Sequence, residues 1–259
     1  IVAIDNVSIA EDDVSGELIF TVTLTGTLQD SFSIDFSTDD GTATVADNDY
    51  TNASGTLTFD PGEISKTITI SINADKTTEL DETFIVELSN PTTEGRNITV
   101  NPTSGIATIL NDDHSPVVSD FIKTGSEDNN VLFTNTDFTA AYNDLDIDPI
   151  VSVKIISLPT NGKLLLSGGQ ITIEQIIPLA QFGNISFAPA LNWNGSTSFN
   201  YIATDGTNWS LTNGKITINI SSVNDAPVAK DDYISTPEDT PVNGNVIAND
   251  SDIDRDNLT

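Results

Sequence analysis

Cysteine and methionine are both absent from the 259 residues. Without thiols there is no disulfide, no zinc-thiolate site and no cysteine nucleophile. Without an initiator methionine, these residues are expected to be a fragment or a processed product. Base is almost as scarce: 9 Lys and Arg stand against 39 Asp and Glu, a formal charge of −30. Such a field repels a phosphate backbone, which excludes a nucleic-acid binder. The single histidine, His114, sits in a linker-like His114-Ser115-Pro116 stretch, a poor place for the base of a Ser-His-Asp triad. Phosphate-loop and dinucleotide motifs are missing. No run approaches the roughly 20 apolar residues of a membrane span, and no basic-then-apolar leader is seen, so any address signal is expected outside these residues. What remains is material for ordinary cores: 37% of residues are apolar and only 19% charged, the balance of a folded chain and not of an acidic disordered tail.

The acids are unevenly placed. Residues 1 to 65 hold no Lys or Arg, and the first base is Lys66. Carboxylates gather between apolar runs, at Glu11-Asp12-Asp13, Asp39-Asp40, Asp47 with Asp49, Asp112-Asp113, Asp144 with Asp146 and Asp148, and Asp250 through Asp256. Any one cluster is explained by the turn-forming habit of Asp. Their recurrence where strands stop suits a hard cation taking 6 to 8 oxygen ligands, which is calcium.

The apolar pattern is almost wholly of period two. Leu18 to Leu24, Phe32 to Phe36, Gly55 to Phe59, Thr67 to Ile72 and Thr83 to Leu88 alternate apolar residues with Thr, Ser or acid, as half-buried antiparallel strands do. Asp39-Asp40-Gly41, Asp60-Pro61-Gly62 and Ser89-Asn90-Pro91 supply the turns between them. With Gly105 to Leu110 as a closing strand, a β-sandwich is expected over residues 1–113. A second strand-rich domain is expected over 114–225, on Ile150 to Ile156, Lys163 to Leu166, Ile185 to Phe187, Ser198 to Ala203 and Lys215 to Ile220. Its one helical candidate, Ile173 to Phe182, is interrupted by Pro178 and poorly capped, and should give a turn or a single helical turn. Asn143-Asp144-Leu145-Asp146-Ile147-Asp148 recurs as Asn249-Asp250-Ser251-Asp252-Ile253-Asp254, each after a Glu-Asp pair. Residues 226–259 therefore read as the incomplete start of a further repeat. The expected fold is all-β: elongated, tandem antiparallel β-sandwiches of Ig or cadherin type with a truncated third.

Several motifs carry a resemblance over the whole of 1–113. Val7-Ser8-Ile9-Ala10-Glu11, Phe36 to Ala43, Asp49-Tyr50, Phe59-Asp60-Pro61-Gly62, Glu79-Leu80-Asp81-Glu82-Thr83-Phe84 and Ala107 to Asp113 resemble, in order, the Calx-beta family of calcium-binding sandwiches. The resemblance implies Ca2+ held at one end of the sandwich by Glu11, Asp49, Asp75, Glu79, Glu82, Asp112 and Asp113. Where the richest members run three acids, this sequence has Ala74-Asp75-Lys76, which implies about one or two ions bound more weakly than in a cytosolic sensor.

The second domain resembles bacterial cadherin-like repeats, with a trace of the chondroitin sulfate proteoglycan repeat, as in large bacterial surface adhesins. The residues are Ser126-Glu127-Asp128, Leu158 to Leu164, Phe187-Ala188-Pro189 with Asn192-Trp193-Asn194-Gly195, Phe199 to Gly206, and the junction Val223-Asn224-Asp225-Ala226-Pro227. This resemblance implies weaker calcium ligation by Glu127, Asn224 and Asp225 with Asp250 and Asp252, and by Asp144 and Asp146 of the earlier copy.

Function follows as an expectation: a calcium-rigidified stalk or adhesion segment of a large extracellular bacterial surface protein, whose glycan or protein partner is met through other parts of the parent chain. The alternatives are a glycan- or protein-binding adhesin module, with Trp193, Trp209, Tyr201 or Tyr142 stacking on sugar, and a non-catalytic appendage of a secreted enzyme. Acid pairs recur at loop ends and not once in a cleft, so this piece is not expected to be an enzyme.

Overall fold

A computed structural model describes every residue except Asp12, Asp13, Thr93 and Arg96; the Asp12-Asp13 part of the first acidic cluster thus lies outside the described residues. Strands take 42% of the chain and helix 4%, and the chain forms tandem β-sandwiches. It divides into two units, residues 1–115 and 116–259.

The first unit runs β1 (Val2–Ile4), β2 (Val7–Ala10), β3 (Gly16–Leu24), β4 (Phe32–Asp39), β5 (Ser54–Phe59), β6 (Ser65–Ile72), β7 (Glu82–Ser89) and β8 (Ser104–Leu110). They form a sheet β1-β3-β6 and a sheet β2-β8-β7-β4-β5. The period of two is realised directly: Ile68, Ile70 and Ile72 of β6 are buried while Thr67, Thr69 and Ser71 are exposed. Leu18, Phe20 and Val22 of β3 join them against Ile34, Phe84, Val86 and Ile109 of the other sheet. Tyr50 stacks on Phe84 with ring centroids 4.0 Å apart, which pins the loop between β4 and β5 onto the core.

One ladder of this unit departs from the antiparallel pattern. β1 pairs antiparallel with β3, whereas β2 runs parallel to β8, Val7 opposite Ala107 through Ala10 opposite Leu110. The crossing is made by two short polar side chains. Asp5 Oδ1 accepts from Thr21 N–H in one sheet (2.7 Å) and Asn6 Oδ1 from Ile106 N–H in the other (2.8 Å).

In the second unit, β9 (Val117–Val118), β10 (Phe121–Ser126) and β11 (Val131–Leu132) precede helix α1 (Asn135–Thr139). There follow β12 (Tyr142–Asn143), β13 (Ser152–Ile155), β14 (Gly162–Leu166), β15 (Gly169–Gln170), β16 (Ile176–Pro178), β17 (Ile185–Pro189), β18 (Gly195–Thr204) and β19 (Gly214–Ser221). Sheets β10-β19-β18-β13-β16 and β11-β17-β14-β15 enclose Phe133, Phe138, Phe182, Phe187, Phe199 and Tyr201; β12 pairs with β9. Here too the first long strand is parallel to the last, Phe121 opposite Ile216 through Ser126 opposite Ser221.

Two local expectations are corrected. The Ile173 to Phe182 stretch is strand over Ile176–Pro178 and turns into a 3-10 helix only over Leu179–Asn184, because Pro178 stands extended (ψ 153°) as its N-cap and so precedes the helical turn. The α1 helix was not foreseen: it is one short turn closed by a capping box in which Thr134 and Asp137 satisfy each other's backbone N–H. Beyond Ser221 the described chain has no strand or helix, only an isolated bridge between Val228 and Ser251.

Candidate metal centre

Register brings several strand ends to one rim of the first unit. Ala10 lies opposite Leu110, Glu82 opposite Ile109, and Asp39 opposite Ile85. Glu11 therefore leaves β2 beside the end of β8, where Asp113 follows; Glu82 opens β7; and the loops after β4 and β6 deliver Asp49, Asp75 and Glu79.

Backbone hydrogen bonds set these loops. Asp49 Oδ2 accepts from Thr44 N–H (2.6 Å), and Asn73 N–H donates to the Asp49 carbonyl (3.0 Å). Tyr50 Oη donates to Asp40 Oδ1 (2.6 Å), tying the Asp49 loop to the core ring. Asp75 Oδ1 accepts from Thr77 N–H (2.6 Å). Asn111 is a hub: its Oδ1 accepts from Glu79 N–H (3.0 Å), its N–H donates to Asp81 Oδ1 (3.1 Å), and its Nδ2 donates to the Asp113 carbonyl (2.9 Å).

The result is a carboxylate cluster. One oxygen each of Asp49, Glu79 and Glu82 lie within 4.8 Å of one another. Glu11 and Asp113 are each only 7% exposed. Burial, then the charges of Asp75, Glu79, Asp113 and Asp49, push the Glu11 carboxyl up to about 7. Burial and Asp49, which also hydrogen-bonds to it, push Glu82 up to about 7, with Glu79 and Asp47 adding to the effect. Glu79 is raised by burial and by Asp75, Asp49 and Asp47. Mutual repulsion among half-buried carboxylates is relieved by protons or by a cation. The donors are oxygens throughout.

Six of the seven expected residues, Glu11, Asp49, Asp75, Glu79, Glu82 and Asp113, are thus electrostatic neighbours, while Asp112 is exposed on the same segment. Asp47, Asp81 and Asn111 were not in the expected set; the first stands in an acidic pair legible in the sequence, the other two act through backbone contacts that no spacing announces.

A second cluster lies in the other unit. Glu127 is 1% exposed, and its Oε1 accepts from Val223 N–H (2.7 Å). Asp225 N–H donates to Asp254 Oδ2 (2.6 Å), while the buried Asp225 Oδ2 accepts no hydrogen bond from the described residues. Burial, then Asp128, Asp254, Glu127 and Asp252, raise the Asp225 carboxyl. Glu127 and Asp252 of the expected set are electrostatic neighbours of Asp225, and so are Asp128 and Asp254, which were not in that set. Asp250 instead accepts from Lys230 N–H (2.8 Å), and the Asn224 amide donates to the Asp225 carbonyl (3.0 Å). Asp144 and Asp146 form a separate turn in which Asp144 accepts from Asp146 N–H (2.9 Å) and from Tyr142 Oη (3.3 Å).

The aromatics offered for sugar stacking have other engagements. Tyr201 is fully buried, Trp193 packs on the core, and Lys154 Nζ sits 4.5 Å from the Trp209 ring centroid.

Residues 1–113 match the Calx-beta domain family. This segment is a Calx-beta domain. Residues 111–221 match the cadherin-like domain, and residues 224–259 the bacterial Ig domain. Sodium/calcium exchanger 1 of Cavia porcellus is 33% identical over 144 residues, covering 43% of this chain and 15% of the exchanger. Human sodium/calcium exchanger 2 is 37% identical over 118 residues, covering 40% of this chain and 13% of that protein. The chain therefore spans only a small part of these relatives. Among solved structures, the apo-form Calx CBD1 domain aligns at 27% identity and a TM-score of 0.36, covering 43% of this chain and 98% of that one. The calcium binding domain CBD12 of CALX1.1 aligns at 19% identity and a TM-score of 0.40, covering 78% of this chain and 80% of that one. No helix among the described residues is long and apolar enough to cross a membrane.

Proposed function

We propose that this chain is a calcium-binding, calcium-rigidified stalk or adhesion segment of a large extracellular bacterial surface protein, built of modules 1–113, 114–225 and 226–259. The observation that carries the reading is the rim of the Calx-beta domain. There Glu11, Asp49, Asp75, Glu79, Glu82 and Asp113 converge from four separate segments, and the carboxyls of Glu11, Glu79 and Glu82 are driven up by burial and by the neighbouring charges. An all-oxygen donor set of this charge fits calcium, which takes 6 to 8 such ligands, and fits poorly the nitrogen and sulfur preferences of transition metals. These residues would hold the ion together with Asp112, and its charge would replace the repulsion with attraction among four chain segments.

The second module carries the weaker centre: Glu127, Asn224, Asp225, Asp250 and Asp252, with Asp128 and Asp254 added, and Asp144 and Asp146 in their own turn. The bacterial Ig match of residues 224–259 supports a bacterial surface setting. Carboxylates that recur in both units, and not as one isolated pair, support binding over catalysis, and the partner glycan or protein is then met by other parts of the parent chain.

Calorimetric titration with calcium, and thermal unfolding with and without chelator at constant ionic strength, test the reading. Heat of binding and a higher midpoint in calcium are expected. An unchanged midpoint and no heat would refute the metal centre.

A further inference from the structure

The two units match different families, yet each closes its first strand of four or more residues onto its last in the same way. β2 is parallel to β8, and β10 is parallel to β19; every other ladder among the described strands is antiparallel. Directly before each first strand stands a short polar side chain that accepts from the last strand: Asn6 Oδ1 from Ile106 N–H, and Asp120 Oδ1 from Lys215 N–H, both 2.8 Å. Directly after each first strand stands a buried Glu whose N–H donates to the end of the last strand: Glu11 to the Leu110 carbonyl, and Glu127 to the Ser221 carbonyl, both 3.0 Å.

Parallel pairing of the first and last strands decides how tension acts. The chain enters at the N-terminal end of one strand and leaves at the C-terminal end of the other, and in a parallel pair those are opposite ends of the ladder. Pulling the ends apart slides one strand along the other and loads every ladder bond at once. In an antiparallel pair the same pull would start at one end and open the bonds one after another.

We propose that each unit is a force-bearing shear clamp, with the Asn6 or Asp120 side chain locking its start and the Glu11 or Glu127 end locking its finish. The Glu side chains point into the carboxylate clusters, which also take Asp113 and Asp225 from just beyond the last strands. On the calcium reading above, on which this part rests, a bound ion ties first strand to last beyond the final backbone bond and strengthens the clamp under load. The strand geometry and the Asn6 and Asp120 locks do not depend on it.

The absence of cysteine makes the test direct, since thiol handles can be placed at chosen pairs in the full chain. Val117→Cys with Ser222→Cys pulls the second unit in shear; Val117→Cys with Leu211→Cys pulls at the same end of the β10–β19 ladder and peels it. Single-molecule force spectroscopy is expected to give a severalfold higher unfolding force in shear. Asp120→Ala should lower the shear force, leave the peeling force unchanged, and leave calcium affinity by calorimetry unchanged. Calcium should raise the shear force, and Glu127→Gln should abolish that rise. Equal forces in the two geometries, or an Asp120→Ala chain as strong as the parent in shear, overturn the clamp. A shear advantage that persists while calorimetry finds no calcium binding overturns the metal reading and leaves the clamp standing.

Discussion

In chelator, the Calx-beta domain should lose stability as pH rises from about 5 to about 7.5, the reverse of ordinary acid denaturation. Glu11 and Glu82 are both driven from 4.5 to about 7, chiefly by burial and then by neighbouring carboxylates. The unfolded chain releases these protons near pH 4.5, whereas the folded domain holds them until about pH 7. Through that window the folded state binds more protons, so the free energy of unfolding falls with rising pH and levels off above it. Taken at face value, a displacement of this size is about 3 kcal/mol for each carboxylate. The rim opens to water on one side, and screening leaves on the order of 1 kcal/mol each. The two together lower the midpoint by roughly 5 to 10 °C for a domain of this size. Groups with lowered carboxyls, Asp35 and Glu63 through hydrogen bonds and the Lys66 partner of the latter, act elsewhere: their contribution is lost only as pH falls below the usual carboxylate range. Differential scanning calorimetry at constant ionic strength reads the trend. Saturating calcium should reverse it, because the ligands must be deprotonated to bind. Glu11→Gln should flatten the chelator profile and raise the midpoint near pH 7.5 while weakening calcium binding. A midpoint in chelator that is flat or rises between pH 5 and 7.5 refutes the electrostatic account of the rim.

Other outcomes follow from single contacts. At calcium a hundredfold above its dissociation constant, one site should add about 2.7 kcal/mol to unfolding of the Calx-beta domain, and Asp49→Asn should remove most of that gain in the same titration. Gly41→Ala would drive a methyl group into the Thr83 carbonyl; a cost of about 1–3 kcal/mol and weaker calcium binding are expected in chemical denaturation and calorimetry, because the Asp49 loop and the start of β7 meet there. Asp137→Ala removes the capping box of α1 and the 2.8 Å ion pair with Lys123; it should lower the second unit's transition by about 1–2 kcal/mol and leave the first unit's transition unmoved.

Strands were legible wherever one face is buried, because alternation is then forced on the sequence: β3, β6, β7 and β8 all carry it. The short elements were not. Helix α1 buries only Phe138, and a single buried residue makes no period. The parallel closure was hidden for another reason: β2 and β10 bear the same alternation whichever way their partner runs, and the direction is fixed by a crossover and by contacts about a hundred residues apart in sequence. The rim was legible through Glu11, Asp49, Glu79 and Glu82 because the motifs that carry them resemble, in order, those of the Calx-beta family. Asp128 and Asp254 escaped because they sit one residue past Glu127 and two past Asp252, the residues to which the resemblance points.

Acids at strand ends do two jobs here, and some, such as Asp75, Asp252 and Glu127, do both. Asp75, Asp144, Asp205 and Asp252 each accept a backbone N–H two residues on, and Asn6 and Asp120 accept one from a neighbouring strand. A short side chain reaches such donors from its own backbone, so these residues would stand at turns and crossings with or without a cation. Glu11, Glu79 and Glu82 carry one more methylene and reach past the turn to meet each other and Asp49. A sequence with many Asp at strand ends is therefore weak ground for a metal centre. The presence of Glu at the end of the first strand, where an apolar or turn residue would serve the fold better, is what argues for a cation. The same argument then singles out Glu127, buried at the equivalent step of the second unit.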